Sequence, residues 1–231
     1  RARLKQQDKI AQKRILEKIK LIRSSGGTVN PNETKDEQKE RIERDKKDVK
    51  FCVEYYFPHF ATSECADFHV EWANMVKKDP YFIGFAKWGR GQAKSVWNNV
   101  IIPFWLWLNE GDTYFVLIGQ NEGRAQQLLE DIRLEFQENP RIINDFGEQK
   151  KFGSWEDGFF QTQGGFIGQA IGLGQSCRGL RVGNKRPSLM NADDLETKKT
   201  IKNEKMQDEY VEWFETELLP AMDGEYERAL V

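Results

Sequence analysis

The residues with the clearest chemical potential in this 231-residue chain are Arg90, Gly91, Gln92, Ala93, Lys94 and Ser95. A phosphate-binding loop needs small residues, so that successive backbone N–H groups can curl around a β-phosphate. It also needs a Lys to reach the β and γ oxygens and a hydroxyl for Mg²⁺. Lys94 and Ser95 meet the last two demands, whereas Trp88 and Ala93 stand where the consensus has its first and last glycines. The competing reading is a Lys and a Ser that open a helix. A second group follows 99 residues after Lys94, where Leu-Met-Asn-Ala runs into Asp193 and Asp194, with Glu196 two further on. An acid at a strand end near such a loop holds the Mg²⁺ of a nucleotide, and a neighbouring acid aligns or deprotonates the attacking water. Asp193 is the magnesium candidate and Asp194 the catalytic one; the competing reading of Asp193-x-x-Glu196 is a helix capping box. Arg90, four residues before Lys94, lies against the phosphates. Arg178 and Arg181 are candidates for an arginine finger reaching across a subunit interface, or, with Lys185 and Arg186, for a patch facing solvent or phosphate.

These residues need elements to carry them. YFIGFAKWG reads as a buried strand leading into the loop, and SVWNNVIIPFWLWLN as a buried helix leaving it. Thr113–Gln120 reads as the next strand, followed by a helix with Ala125, Leu128, Leu129, Ile132 and Phe136 on one stripe. This strand-helix alternation predicts a mostly parallel sheet flanked by helices, with ligands at the strands' carboxyl ends. The eight glycines between Gly158 and Gly183 exclude a long helix there and predict hairpin strands and a mobile loop. GLGQSC opens like a dinucleotide fingerprint, but Cys177 replaces the third glycine and no helix follows. LMNA reads as a strand ending in acids. KMQDEYVEWFETELLPAM reads as an amphipathic helix with Met206, Tyr210, Trp213, Phe214 and Leu218 inward, and the final ALV as a strand.

Composition narrows the class. Hydrophobic residues make 39% of the chain, with 15 Phe and 7 Trp, enough for a packed core, and Trp97, Trp105 and Trp107 read as part of it. The longest apolar run contains Pro103 and is too short for a membrane span. The basic start leads into no apolar stretch, which excludes a secretory signal; it also lacks Met, so a longer natural chain is expected. Three cysteines fit a reducing cytoplasm. Cys52, Cys65, His59 and His69 make a zinc count, but their spacings match no common module. Residues 1–50 hold 16 Lys and Arg against 9 Asp and Glu, and are read as a charged helical arm whose second helix starts at about Lys35. The domain proper is read as 51–231.

On GRGQAKS, the CRGLRVGNKRPSL approach to the acids, DDLE and WFETELLPAM, the chain from about Tyr56 to Val231 resembles the ATPase domain of the large terminase subunit of tailed bacteriophages, which packages double-stranded DNA. The resemblance implies a RecA-like (ASCE) P-loop α/β fold that binds ATP and Mg²⁺. Lys94 and Ser95 would hold the phosphates and metal, Asp193 the metal, and Asp194 or Glu196 would be the catalytic acid. FATSECADFHVEWANMV matches where this family seats adenine, which makes Phe60, Phe68 and His69 pocket candidates. Double-stranded DNA, the portal protein, the small terminase subunit and neighbouring copies in a ring on the portal are the implied partners, with the isolated domain expected as a monomer. The implied location is the host bacterial cytoplasm and, transiently, the procapsid portal vertex. Family members continue into a coupling motif and a nuclease domain; neither follows Val231, so no nuclease activity is expected of this chain. The alternatives are a helicase-like translocase and an ATP-binding scaffold with little turnover.

Overall fold

The computed structural model describes residues 2–25, 29–193, 195 and 203–231, with side chains from Lys9 onward. Its helices are α1 (Ala2–Ser25), α2 (Lys35–Lys47), α3 (Val49–Tyr56), α4 (Asp67–Lys78), α5 (Lys94–Val96), α6 (Ile102–Glu110), α7 (Glu122–Glu138), α8 (Pro140–Phe146) and α9 (Glu204–Trp213). The strands are β1 (Ile83–Gly84), β2 (Thr113–Gly119), β3 (Lys150–Glu156), β4 (Phe159–Thr162), β5 (Phe166–Gly172), β6 (Leu189–Ala192) and β7 (Arg228–Leu230). The chain forms two units: Arg1–Cys65 with Leu134–Gln149, and Ala66–Arg133 with Lys150–Val231. Among the described residues no helix is long and apolar enough to cross a membrane.

All seven strands lie in the second unit, in the order β1-β7-β6-β2-β5-β4-β3. The pairings from β1 through β5 are parallel and the last two antiparallel, which gives the mostly parallel α/β sheet expected from the strand-helix alternation. Every residue of β2 is buried, as the centre of a parallel sheet covered on both faces requires. Tyr114, Val116 and Ile118 join Ile167, Ile171, Met190 and Leu218 on one face, and Phe115 on the other meets Phe166 at 6.4 Å between ring centroids. The α7 stripe of Ala125, Leu128, Leu129, Ile132 and Phe136 is buried throughout, as are Trp97, Trp105 and Trp107. Truncating a fully enclosed ring such as Trp105 to Ala would cost about 3–5 kcal/mol.

Two expectations are corrected. The YFIGFAKWG segment forms only a two-residue strand, with Gly84 and Ala86 buried but Tyr81, Ile83 and Phe85 56%, 49% and 65% exposed. It lies at the sheet edge, and period-two alternation leaves one of its faces uncovered by the described residues. Helix α9 buries none of its own residues; of the five expected inward, only Leu218, in the π turn Phe214–Leu218 that follows, is fully buried. The strand after the acids is held deep: the buried Arg228 guanidinium makes a bidentate pair with Glu110 at 2.8 and 3.0 Å and reaches the Asp79 and Lys77 carbonyls.

The helix leaving the loop is not uniform. Between α5 and α6 it opens into a π turn, Trp97–Ile101, in which Ile102 N–H donates to the Trp97 carbonyl. Pro103 supplies the reason. Its nitrogen has no hydrogen to give the Asn99 carbonyl four residues back, and its ring would clash with that carbonyl in a regular helix, at a cost of about 3 kcal/mol. Widening the turn just before it relieves both problems. Pro220 follows the second π turn in the same way.

In the first unit, α2 starts on a complete capping box between Thr34 and Glu37, matching the start read from sequence. The charged arm is not free-standing, because Arg41 on α2 clamps both Glu33 and Asp145 bidentately at 2.7–2.9 Å. Tyr56 Oη–H and Gln38 Nε2–H also donate to the Asp145 carboxylate, each at 2.8 Å. The first unit thus runs through Cys65 and takes up Leu134–Gln149. Burial opposes ionisation of Asp145, but the bonds from Arg41, Gln38 and Tyr56 outweigh it and hold its carboxyl below the usual value. Asp45, wholly enclosed, goes the other way: burial, with the nearby Asp145 charge, pushes it from 3.8 up to about 7 against the pull of Arg41.

Between those two values the folded unit holds a proton that the unfolded chain has lost, so stability falls as pH rises through this window and levels off above it. Asp45→Asn should therefore stabilise the protein by up to a few kcal/mol at about pH 8, with little effect near pH 4. Urea unfolding at both values checks this; an equal effect at the two would contradict the assignment.

Candidate functional site

The loop closes on itself before the helix begins. Gly89 N–H donates to Gln92 Oε1 at 2.6 Å, and Gln92 N–H returns to the Gly89 carbonyl at 3.3 Å. Gly91 takes φ +82°, the left-handed region in which glycine is favoured. Ala93 takes φ 56°, ψ 25°, so the position where the consensus has glycine does demand a left-handed residue, and Ala meets it at about 1 kcal/mol or more of strain. From there the chain turns directly into α5. The first helical bond is Trp97 N–H to the Ala93 carbonyl, which leaves the N–H groups of Lys94, Ser95 and Val96 without helical acceptors, the arrangement that favours an anion.

His69, on α4, braces this loop. Its Nε2 lies 2.8 Å from the Gln92 carbonyl, which can only accept, so Nε2 carries the proton. The ring stacks on Trp97 at 4.7 Å and 15° and meets Trp88 edge-on at 4.9 Å. Phe68 beside it is 37% exposed and contacts the Trp88 ring at 5.2 Å. Two of the three residues expected in an adenine pocket thus sit at the loop, His69 as an enclosed brace and Phe68 with one side open. Phe60 belongs to the first unit, where it packs on Phe57 and His59.

Arg90, Gly91, Lys94 and Ser95 line a cavity of about 490 Å³ together with Asp193 and Arg124. Asp193 is buried at the carboxyl end of β6, its N–H bonded to the Ile118 carbonyl at 2.9 Å and its Oδ2 accepting from Asn99 Nδ2 at 2.8 Å. Arg124 comes from the first turn of α7, which Asn121 caps by accepting Arg124 N–H at 2.9 Å. That turn can lie over the strand ends because Gly119 and Gly172 have no side chains; a Cβ at either would stand 2.7 or 2.8 Å from a backbone nitrogen of α7. Three cations and one carboxylate suit a polyanion accompanied by a metal ion. One hydroxyl and one carboxylate fit Mg²⁺, which takes few protein ligands and completes its shell from phosphates and water. Sequence reasoning missed Arg124; the signal was its place in the first helical turn after a central strand.

The other candidates lie elsewhere. Arg178 and Arg181 line a separate cavity of about 450 Å³ with Arg186, Cys177 and Glu217, so the chain does not bring them to its own loop. Burial and the Glu217 charge push the Cys177 thiol up to about 12, leaving it inert. Asp194 and Glu196 fall outside the described residues. His59 Nε2 is bonded to Glu135 at 2.7 Å within the first unit, and among the described residues no three His, Cys, Asp or Glu side chains group to hold a metal. Comparison with models of known protein families finds no match, and comparison with curated proteins finds none either.

Because the left-handed conformation at residue 93 sets how the loop enters the helix, Ala93→Gly should keep phosphate binding. Ala93→Val, whose branched side chain resists that conformation, should weaken it at least about tenfold for each 1.4 kcal/mol of added strain. Titration with ADP and pyrophosphate checks this; equal binding by the two variants would contradict it.

Proposed function

We propose that this chain is the ATPase domain of a DNA-packaging motor of the phage terminase type, with a RecA-like P-loop site. The observation that carries the reading is that Lys94 and Ser95, on the loop after β1, share one cavity with Asp193, at the end of β6. The sheet supports it: β7, which follows the acid strand in sequence, lies between the loop strand and the acid strand, an order compatible with the additional-strand class. Two motifs widely separated in sequence meeting at one sheet edge are poorly explained by a Lys and a Ser that merely open a helix.

In this reading the backbone N–H groups at the start of α5 and the Lys94 ammonium cradle the β- and γ-phosphates, and Arg90 and Arg124 add charge at the cavity wall. Ser95 and Asp193 would hold Mg²⁺, which when bound neutralises charge developing on the phosphate oxygens. Asp194 or Glu196 orients the attacking water. Arg178 and Arg181, away from their own loop, would act on a neighbouring copy in the ring around DNA.

Lys94→Ala should abolish hydrolysis and leave the circular-dichroism spectrum intact; Asp193→Asn should weaken Mg²⁺-dependent binding. Of Asp194→Asn and Glu196→Gln, the one that removes the catalytic acid should keep binding and lose turnover. Wild-type turnover in Lys94→Ala would overturn the site. DNA-stimulated turnover without strand separation would favour the packaging motor over a helicase, and turnover no faster than spontaneous hydrolysis would favour a scaffold.

The finger assignment makes a separate prediction. In assembled motors, Arg178→Ala or Arg181→Ala should bind ATP normally yet lose about 10³-fold or more in rate. Mixing either with Lys94→Ala chains should restore part of it, because some interfaces then pair an intact Lys94 with an intact arginine. A loss below about tenfold, or no rescue in any mixture, would leave these arginines as surface or phosphate contacts.

A further inference from the structure

Asn99 is the buried residue nearest the proposed chemistry that the assignments above leave without a role. It lies in the π turn Trp97–Ile101, is fully enclosed, and stands between two residues of β6 and its end. Its Nδ2 donates to Asp193 Oδ2 at 2.8 Å, and its Oδ1 accepts from Asn191 Nδ2. The direction of this relay is fixed by chemistry, because an ionised carboxylate only accepts. Asn99 must therefore turn its amide nitrogen to Asp193 and its oxygen to Asn191.

The relay leaves Asn191 Oδ1 buried without a hydrogen-bond partner among the described residues. A core built only for stability would avoid that cost with an apolar side chain, and polar groups that break local rules mark functional positions. The preceding residue is pinned as well: Asn98 Oδ1 accepts from Trp72 Nε1–H at 3.0 Å, which fixes the π turn from the α4 side. Pro103 opens the turn, the turn presents Asn99, and Asn99 occupies one oxygen of a carboxylate whose residue lines the cavity of Lys94 and Ser95.

We propose that Asn99 is a positioning residue for the metal ion of the nucleotide site: it holds Asp193 in one rotamer and reserves its Oδ1 as a single, monodentate metal ligand. This inference rests on the nucleotide-site reading. Residues that orient a metal ligand in this way are worth about 10–100-fold in metal affinity, while contributing nothing to the binding of phosphate itself.

The experiment is calorimetric titration of the full chain with ADP, first in EDTA and then across a range of Mg²⁺, repeated with Mn²⁺ and its paramagnetic resonance spectrum as a second readout. The variants are Asn99→Leu, which keeps the branching at Cγ but has no hydrogen-bonding atoms, and Asn99→Ala, with Lys94→Ala as control. Both Asn99 variants should bind ADP in EDTA like the wild type, need about 10–100-fold more Mg²⁺ to reach the same affinity, and show an altered bound-Mn²⁺ spectrum; Lys94→Ala should lose ADP under both conditions. If the wild type depends on Mg²⁺ and both variants share its midpoint, the positioning role is overturned and the site reading stands. Loss of ADP binding with and without metal, or unfolding of both variants, would make Asn99 a packing residue and overturn the proposal. A wild type that binds no ADP would overturn the site reading, and this inference with it.

Discussion

Parallel pairing is the constraint on which the rest of the second unit depends. Four successive parallel pairings, β1 with β7, β7 with β6, β6 with β2 and β2 with β5, aim five carboxyl ends at one edge of the sheet. The register then decides what meets there. With Leu117 opposite Asn191 and Ile118 opposite Ala192, the Asp193 N–H is the next donor in the ladder, and it takes the Ile118 carbonyl. The acid is thus placed by backbone hydrogen bonds before any side chain acts on it. A shift of one residue would turn Asn191 to the opposite face and break the relay through Asn99.

Three irregularities occur where the regular frame meets the cavity. Ala93 holds a left-handed conformation between the self-closed loop and the helix. The helix widens over Trp97–Ile101 ahead of Pro103. Gly119 and Gly172 surrender their side chains so that α7 can start against the strand ends. Each is locally unfavourable, and each brings a polar group toward one space: backbone N–H groups in the first case, Asn99 and Asp193 in the second, Arg124 in the third. Of the three, Ala93 alone is a non-glycine residue at positive φ among the described residues, the kind of backbone strain that clusters at functional sites.

Much of this was legible in the sequence because hydrophobic periodicity reports burial directly. The stripe from Ala125 to Phe136, the strand over LMNA and the start of α2 at about Lys35 follow from side-chain type alone. The exposure of Ile83 and Phe85 was not legible, since a short apolar run reads the same in a central strand and at an edge, and only the strand order distinguishes them. Arg41 shows a second limit. On sequence it is one charge in a charged helix, and its clamp on Asp145, over a hundred residues away, has no local signal. Asn99 shows a third: its role depends on a π turn set by a proline four residues later, a register shift that periodicity at 3.6 does not register.

The central claim is that the loop at residues 89–95 and the end of β6 form a single site for a magnesium nucleotide. Amide hydrogen exchange with and without Mg²⁺ and a non-hydrolysable ATP analogue tests it directly. The account predicts new protection at residues 89–97 and 191–193 together, appearing at the same ligand concentration, with α2 and α3 unchanged. Protection confined to other segments, or to the loop with no change at the end of β6, would contradict it.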